Sequence, residues 1–313
     1  MARVRNYLSL IKFSHTIFAM PFAMIGFVLG ATTGGFKIFS VGQWNLSRTL
    51  GWGGDEKNII WWKDSLLIKL VLVILCMVFA RSAAMAFNRY LDRNFDAKNP
   101  RTAIREIPSG IIRANSVLLF TIANCLMFIT CCFFINKLCF FLSPVALLIV
   151  LGYSFTKRFT PFCHLILGLG LSLAPIGAYL AVTGHFSLLP VIFSLTVIFW
   201  VSGFDIIYAL QDEEFDKSQK LYSMPAWLGK SGALHVSESL HLLSAASVII
   251  AGIYGHFGWM YWTGTAVFLG MLIYQHLVIK PEDLHNVNLA FMTANGIASV
   301  VFAAFVITDL FLR

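Results

Sequence analysis

Nine long apolar runs constrain this sequence more than any other feature. Each run is close to the roughly 20 residues that an α-helix needs to cross the hydrocarbon core of a bilayer. The runs cover residues 13–33, 65–87, 114–135, 138–156, 162–183, 187–207, 234–255, 260–279 and 289–311. They leave no stretch for a soluble domain of any size. The pattern predicts an all-α integral membrane protein with about nine transmembrane helices, folded as a single domain over residues 1–313.

Two local features predict how these helices pack. Only Asn136 and Lys137 separate the third run from the fourth, so we expect a tight hairpin there. Gly168 and Gly170, in the fifth run, are expected to allow a neighbouring helix to approach closely.

Composition favours the same class of protein. The chain is 58% hydrophobic and 12% charged, whereas a soluble domain carries about 25% charged residues. A soluble enzyme, a disordered chain and a nucleic-acid-binding module are therefore excluded. The six cysteines form no CxxC pair or His/Cys zinc spacing, so we interpret them as small apolar residues. The basic N-terminal stretch lacks a small-residue cleavage site, so we expect no removable signal peptide.

Lys and Arg residues predict the orientation in the membrane. The formal net charge of +8 is concentrated at the N-terminus and after the even-numbered runs. Because basic loops face the cytoplasm, segments 89–113, 157–161 and 208–233 are expected on that side of the plasma (inner) membrane. Segment 34–64 is rich in Gly and Trp, so we expect it to lie on the headgroups of the opposite side.

Two acidic segments stand at the cytoplasmic ends of the second and sixth runs. The first contains Asn88, Asp92 and Asp96, and the second contains Asp205, Tyr208, Asp212 and Asp216. A spacing of four residues places side chains on one face of a helix. Asp205 precedes Asp212 by seven residues, about two turns, so it is expected on nearly the same face.

Carboxylates this close together are costly unless a cation binds them. Like charges at this spacing destabilise a helix, and charges at membrane depth usually mark a functional path. Clusters of oxygen ligands without His or Cys suit Mg²⁺, which also takes substrate phosphates. The pattern therefore predicts Mg²⁺ ions that bridge to a diphosphate. The alternatives are solvated charges at helix ends and the ion sites of a cation-coupled carrier.

Taken together, these motifs resemble those of the UbiA superfamily of intramembrane prenyltransferases. Both acidic motifs of that superfamily, NxxxDxxxD and DxxYxxxDxxxD, are present without departure. Arg101-Thr-Ala-Ile-Arg105 is similar to its RTxxR, although Glu106 replaces the Pro that follows there. Tyr153-Ser-Phe-Thr-Lys157-Arg158 resembles its YxxxKR, and the N-terminal HTIFAMPFA is similar to the 4-hydroxybenzoate polyprenyltransferase branch.

This resemblance implies a helical bundle around a central cavity that opens to lipid. It implies Mg²⁺-dependent transfer of a polyprenyl group from polyprenyl diphosphate to a small aromatic acceptor. 4-Hydroxybenzoate is our first choice of acceptor, ahead of a menaquinone precursor and of a porphyrin or lipid-like molecule. We expect membrane lipid around the protein and no obligate protein partner.

The resemblance also implies roles for individual residues. The expected Mg²⁺ ligands are Asp92, Asp96, Asp212 and Asp216. The residues expected to bind the diphosphate are Asn88, Arg101, Arg105, Lys157 and Arg158. Arg offers a forked donor to phosphate, and Lys offers a point charge.

Asp205 and Tyr208 are expected to lie deeper in the bundle than the metal ligands. We predict a catalytic role for them, in which Asp205 orients or deprotonates a phenolic acceptor and Tyr208 holds Asp205 by a hydrogen bond. The alternative is that Asp205 only supports the Mg²⁺ ligands.

Overall fold

The computed structural model describes residues 2–11, 19–33, 65–285, 287 and 293–313 as a bundle of α-helices. The helices are α1 (Ala2–Leu10), α2 (Met20–Thr33), α3 (Leu66–Asp96), α4 (Ala114–Ile135), α5 (Lys137–Thr156), α6 (Cys163–Thr183), α7 (Leu188–Ala209), α8 (Glu213–Ser218), α9 (Met224–Tyr254), α10 (Trp259–Val278) and α11 (Asn295–Leu312). The expectation for segment 34–64 lies outside the described residues.

The predicted all-helical membrane fold is confirmed in its class. Within the described residues, seven helices are long and apolar enough to cross a bilayer: α3, α4, α5, α6, α7 together with α8, α9 and α11. The apolar helix α2 has 14 residues within the described chain. Helix α10 has 20 residues but is rich in aromatic and polar side chains and does not meet the same criterion. The count of nine transmembrane helices is thus not established by length and composition.

Two helices extend beyond their predicted apolar runs. Helix α3 continues past residue 87 to Asp96 and therefore carries the whole first acidic motif. Helix α9 begins at Met224, ten residues before the predicted start at 234, and Ser223 caps it by accepting a hydrogen bond from the Ala226 N–H. Gly229, at φ 71°, interrupts its first turns. Hydropathy missed both extensions because they carry polar and charged side chains.

The second acidic motif does not lie on one continuous helix. Helix α7 ends at Ala209, a 3₁₀ turn covers Leu210–Asp212, and α8 starts at Glu213. The predicted seven-residue register between Asp205 and Asp212 is therefore broken by a tighter turn. This turn contains Asp212 and separates Asp205 and Tyr208 from Asp216.

The bundle places α7 between α6 and α9, while α2 packs on both α6 and α11. A single residue, Asn136, separates α4 from α5, which confirms the predicted tight hairpin. Its Nδ2 donates to the Leu180 carbonyl (2.8 Å), and its Oδ1 accepts from the Cys139 N–H. The hairpin is thereby attached to α6.

Glycine allows two of these helix pairs to approach closely. A Cβ at Gly26 would overlap the Pro175 backbone, and one at Gly168 would overlap the Ile198 carbonyl and the Ser202 hydroxyl. The predicted role of Gly168 is confirmed. Gly170 was predicted to act in the same way. A Cβ there would lie 3.9 Å from the nearest atoms, which belong to Val150, and this is an ordinary van der Waals contact.

Candidate functional site

The two acidic motifs and the predicted basic residues line one polar cavity of about 290 Å³. The cavity lies between the C-terminal ends of α3, α5 and α7 and the start of α6. Its charged lining includes six Arg and Lys side chains and five carboxylates. They are Arg81, Arg89, Arg101, Arg105, Lys157 and Arg158, with Asp92, Asp96, Asp205, Asp212 and Asp216. The structure thus brings together every site residue predicted from the sequence, since Asn88 and Tyr208 also line this cavity.

On α3, the first motif presents its polar side chains along one face of the helix. Asn88 Nδ2 donates to Asp92 Oδ2 (3.1 Å), and Arg158 Nη2 lies 3.2 Å from Asp92 Oδ1. Asp96 Oδ1 accepts from Arg105 Nη1 at 2.6 Å. The buried Asp96 Oδ2 accepts no hydrogen bond from the described residues.

The loop after α3 reaches across the cavity to the second motif. The Arg101 guanidinium makes a two-pronged contact with Asp212, in which Nε lies 3.1 Å from Oδ1 and Nη2 meets Oδ2. Its Nη1 donates to the Tyr208 hydroxyl at 3.0 Å. Asn99 Nδ2 also donates to Asp212 Oδ1, and Asn99 Oδ1 accepts from the Arg101 N–H. Asn99 is a site residue that motif spacing did not identify.

Asp216 is fully buried and linked to the segment that precedes α9. Lys157 Nζ lies 2.7 Å from Asp216 Oδ1, and the Ser223 hydroxyl donates to Asp216 Oδ2 at 2.8 Å. The Tyr222 N–H donates to the Lys157 carbonyl (2.7 Å). These contacts hold the end of α5 against the end of the second motif.

Two basic groups outside the helices, Arg101 and Lys157, are held in their charged forms. Burial lowers the pKa of Arg101, but the charge and hydrogen bonds of Asp212 and Tyr208 outweigh it, so this pKa lies above its usual value. Burial likewise lowers the pKa of Lys157, and Asp216 more than offsets the effect. A raised pKa in a basic group preserves the cation until the pH exceeds that value, so both stay charged at neutral pH.

The donor set suits a hard divalent cation. No three His, Cys, Asp or Glu side chains are grouped as in a preformed metal site within the described ranges. The four carboxylates expected to bind the metal nevertheless line one cavity, and a buried oxygen of Asp96 lacks a hydrogen bond from the described residues there. Oxygen ligands of this kind, shared with phosphate, are what Mg²⁺ prefers.

Deeper in the cavity, Asp205 contacts a residue that the sequence did not suggest. Asp205 Oδ2 lies 2.7 Å from His164 Nδ1 on α6. The sequence had suggested a hydrogen bond between Asp205 and Tyr208, whereas the Tyr208 hydroxyl contacts Arg101. No motif spacing could indicate the His164 contact, because the two residues lie 41 positions apart.

Two further arginines on α3 face this cavity. Arg89 is buried, and its Nε and Nη1 atoms make no hydrogen bond in the described part of the chain. The Nε atom of Arg81 is buried and also lacks a hydrogen bond among these residues. Arg81 lines both the polar cavity and a second cavity beside it. Buried guanidinium donors without a hydrogen-bond acceptor indicate a place for an anion.

The second cavity is apolar and measures about 360 Å³. It lies among α3, α4, α5 and α6, next to Ala19 just before α2. Arg81, Met85, Tyr153, Leu167 and Leu171 line both cavities. The polar space that contains both acidic motifs therefore adjoins a space suited to a hydrocarbon chain.

Comparisons with known proteins identify the family of this chain. Residues 59–297 match the model of the UbiA prenyltransferase family. A 4-hydroxybenzoate octaprenyltransferase of Nitrosomonas europaea is 30% identical over 242 residues, which are 77% of this chain and 82% of that protein. The protein of the same name from Nitrosospira multiformis is 29% identical over 239 residues, covering 76% and 82%.

Solved structures share the fold. The apo structure of a UbiA homolog from Aeropyrum pernix superposes with a TM-score of 0.77 at 28% identity, covering 94% of this chain and 98% of that one. A UbiA homolog from Archaeoglobus fulgidus bound to GPP and Mg²⁺ has a TM-score of 0.70 at 19% identity, covering 98% and 100%. At this lower identity the similarity concerns the fold.

The family match favours a prenyltransferase over the carrier considered from the sequence. The apolar helices and this membrane family also identify an integral, multi-pass membrane protein. The chain belongs to the UbiA prenyltransferase family and is a prenyltransferase.

Proposed function

We propose that this prenyltransferase transfers a polyprenyl group from polyprenyl diphosphate to a hydroxylated aromatic carboxylic acid. 4-Hydroxybenzoate is the first choice of acceptor, as in the relatives named 4-hydroxybenzoate octaprenyltransferase. The observation that carries the proposal is the pair of adjoining cavities. One contains charges for a diphosphate, and the other offers apolar space for the prenyl chain.

Mg²⁺ is the proposed cofactor, and Asp92, Asp96, Asp212 and Asp216 are its proposed ligands. When bound, a divalent cation neutralises the charge that develops on the leaving diphosphate oxygens. UbiA homologs of Archaeoglobus fulgidus, with which this chain shares the fold, are described as bound to GPP or DMAPP with Mg²⁺. The oxygen-only donor set described above is compatible with the same ion.

The basic side chains are the proposed contacts of the diphosphate. Arg101, Arg105, Lys157 and Arg158 each neutralise one motif carboxylate in this structure. Their guanidinium and ammonium donors also lie where a polyanionic leaving group needs stabilisation. Asn88, which donates to Asp92 on the cavity wall, completes the proposed diphosphate site.

The acceptor is proposed to bind between the diphosphate end of the cavity and Arg81. Arg81 would hold the carboxylate of the acid, because its Nε atom has no protein partner among the described residues. Asp205 and Tyr208 would face the phenolic hydroxyl. The reaction breaks the allylic C–O bond with its electron pair on the diphosphate. It forms a bond from the prenyl carbon to a ring carbon and releases one proton from the acceptor.

The membrane arrangement is proposed from the same pattern. Helices α2 and α10 would complete nine transmembrane helices in one domain, residues 1–313, around a cavity open to lipid. The acidic motifs would face the cytoplasm from the inner membrane, because the basic segments lie at that end. The proposed partners are the two substrates and membrane lipid, without an obligate protein partner.

The direct test incubates membranes containing this protein with labelled polyprenyl diphosphate, Mg²⁺ and a panel of aromatic acids. We expect a prenylated acid and released pyrophosphate, both abolished by a metal chelator. Arg81→Lys retains the charge but loses the forked geometry, and should raise KM for the acid roughly 10-fold, with KM for the diphosphate changed little. A panel without any prenylated product would contradict the proposal.

A menaquinone precursor is the second candidate acceptor. A hydroxylated naphthoic acid presents the same carboxylate and phenol on a larger ring, and Arg81 would bind it in the same way. Competition between 4-hydroxybenzoate and a hydroxynaphthoate in the same assay separates the two acids. The acid with the higher kcat/KM is the preferred acceptor.

A further inference from the structure

His164 is a buried polar side chain of the site and belongs to none of the predicted motifs. It is 5% exposed, while its partner Asp205 is 24% exposed to the polar cavity. Its ring joins three parts of the bundle. Nδ1 meets Asp205 on α7, and Nε2 meets the Met224 N–H at the start of α9, 3.3 Å away. The histidine itself lies in the first turn of α6.

The Met224 contact fixes the tautomer of this histidine. A backbone N–H can only donate, so His164 Nε2 must accept and cannot carry a proton. The neutral ring therefore bears its proton on Nδ1 and donates it to Asp205 Oδ2. The Met224 N–H thus determines that the N–H donor of the imidazole lies on the side of Asp205.

This donor has a consequence for Asp205. With Oδ2 occupied by His164, the second oxygen, Oδ1, accepts no hydrogen bond from the described residues and is available to the cavity. The hydrogen bond from His164 restricts rotation of the Asp205 carboxyl group, so that Oδ1 keeps a fixed direction.

We infer that His164 is a positioning residue for aromatic prenylation, which holds the Asp205 carboxylate with Oδ1 directed at the phenolic hydroxyl of the acceptor. The inference rests on the proposed function and deepens it. The phenol donates to Asp205 Oδ1. As the ring carbon bonds to the prenyl carbon and the C–O electron pair leaves with the diphosphate, the phenolic proton passes to Asp205. The attacked ring carbon then loses its proton and the phenolic oxygen regains one. The reaction therefore releases one proton in total.

Two variants of His164 separate this role from a packing role. Asn places an amide donor near the position of Nδ1, so His164→Asn keeps donation to Asp205 and should retain transfer within about 10-fold of wild type. Leu fills similar space without a donor, so His164→Leu should lower kcat for transfer by roughly 10–100-fold. Acceptor-free, Mg²⁺-dependent release of pyrophosphate from polyprenyl diphosphate should persist in both variants. His185→Ala, at an exposed position just beyond the far end of the same helix, is the matched control and should leave both rates unchanged.

A double-mutant cycle tests whether His164 acts through Asp205. In an Asp205→Asn background, adding His164→Leu should cost little further transfer, because the partner is already lost. Additive losses would overturn the inference. So would a His164→Asn protein that releases pyrophosphate normally but loses transfer as completely as His164→Leu. A wild-type protein that prenylates no aromatic acid would instead contradict the proposed function. If His164→Leu does not fold, the His164→Asn result decides alone.

Discussion

At the scale of single residues, each carboxylate proposed to bind metal faces its own basic partner from another segment. Asp92 pairs with Arg158, Asp96 with Arg105, Asp212 with Arg101 and Asp216 with Lys157. Charges at this depth are tolerated only when they are paired and hydrogen-bonded. The pairs also bring each proposed basic contact of the diphosphate within reach of a proposed metal ligand. A diphosphate that binds with its metal can therefore replace these ion pairs. The carboxylates would then contact the metal, and the basic side chains would contact the diphosphate.

We expect Asp96→Asn and Asp216→Asn each to lower Mg²⁺-dependent turnover by about 10²–10³, because they keep the shape of the side chain and remove its charge. Turnover against Mg²⁺ concentration measures the effect. Glu214→Gln is the matched control: this exposed acid lies in the second acidic segment but does not line the polar cavity. Near-normal turnover of both Asp variants at modest Mg²⁺ would rule out a metal site built from the two motifs.

The site residues that the sequence identified are those that belong to a short sequence motif. Asp92 and Asp96, four apart on one helix, could be read from the pattern. Asn99, His164 and Ser223 could not, since each meets its carboxylate through the packing of separate segments. A spacing rule describes neighbours on one element and contains no information about which helices lie side by side.

At the scale of helices, hydropathy placed most elements within a few residues. It predicted α4 at 114–135 and α6 at 162–183, and the structure has Ala114–Ile135 and Cys163–Thr183. It failed where helices continue through polar sequence, at the end of α3 and the start of α9. The pairing of α6 with α7 depends on Gly168, where the backbones approach more closely than a Cβ would allow.

Gly168→Ala should therefore destabilise the protein by about 1–3 kcal/mol, the usual cost of overpacking. It should also lower transfer, because Gly168 follows His164 by one turn on α6. Gly170→Ala, two residues further along the same helix, makes only ordinary contacts and is the control. Thermal unfolding in detergent compares the two. Equal midpoints for both variants would show that the close approach is not required.

At the scale of the whole molecule, the polar cavity and the basic segments share one end of the bundle. Lys98 is exposed at that end, beside the acidic motifs, while His185 is exposed beyond the opposite end of α6. If the basic end faces the cytoplasm, the aromatic acceptor enters the polar cavity from the cytoplasm and pyrophosphate is released into it.

Cysteine labelling tests this orientation. An impermeant reagent added to intact cells should label a His185→Cys protein and should not label a Lys98→Cys protein until the membrane is opened. The six native cysteines are buried or half-buried, so the unsubstituted chain supplies the background. Labelling of position 98 from outside would reverse the proposed orientation.

The two adjoining cavities lead to a last prediction, about the length of the prenyl chain. Gly177 on α6 lines the apolar cavity, and a Cβ there would meet nothing within 4 Å, so a larger side chain projects into open space. Gly177→Leu should therefore lower kcat/KM for a long polyprenyl diphosphate by roughly 10-fold, about the worth of one displaced apolar group. A short allylic diphosphate that ends before this position should react as before. Gly152→Leu is the matched control, because Gly152 also has an open Cβ position but lines neither cavity. Equal losses for long and short substrates would mean that the prenyl chain leaves the polar cavity by another route.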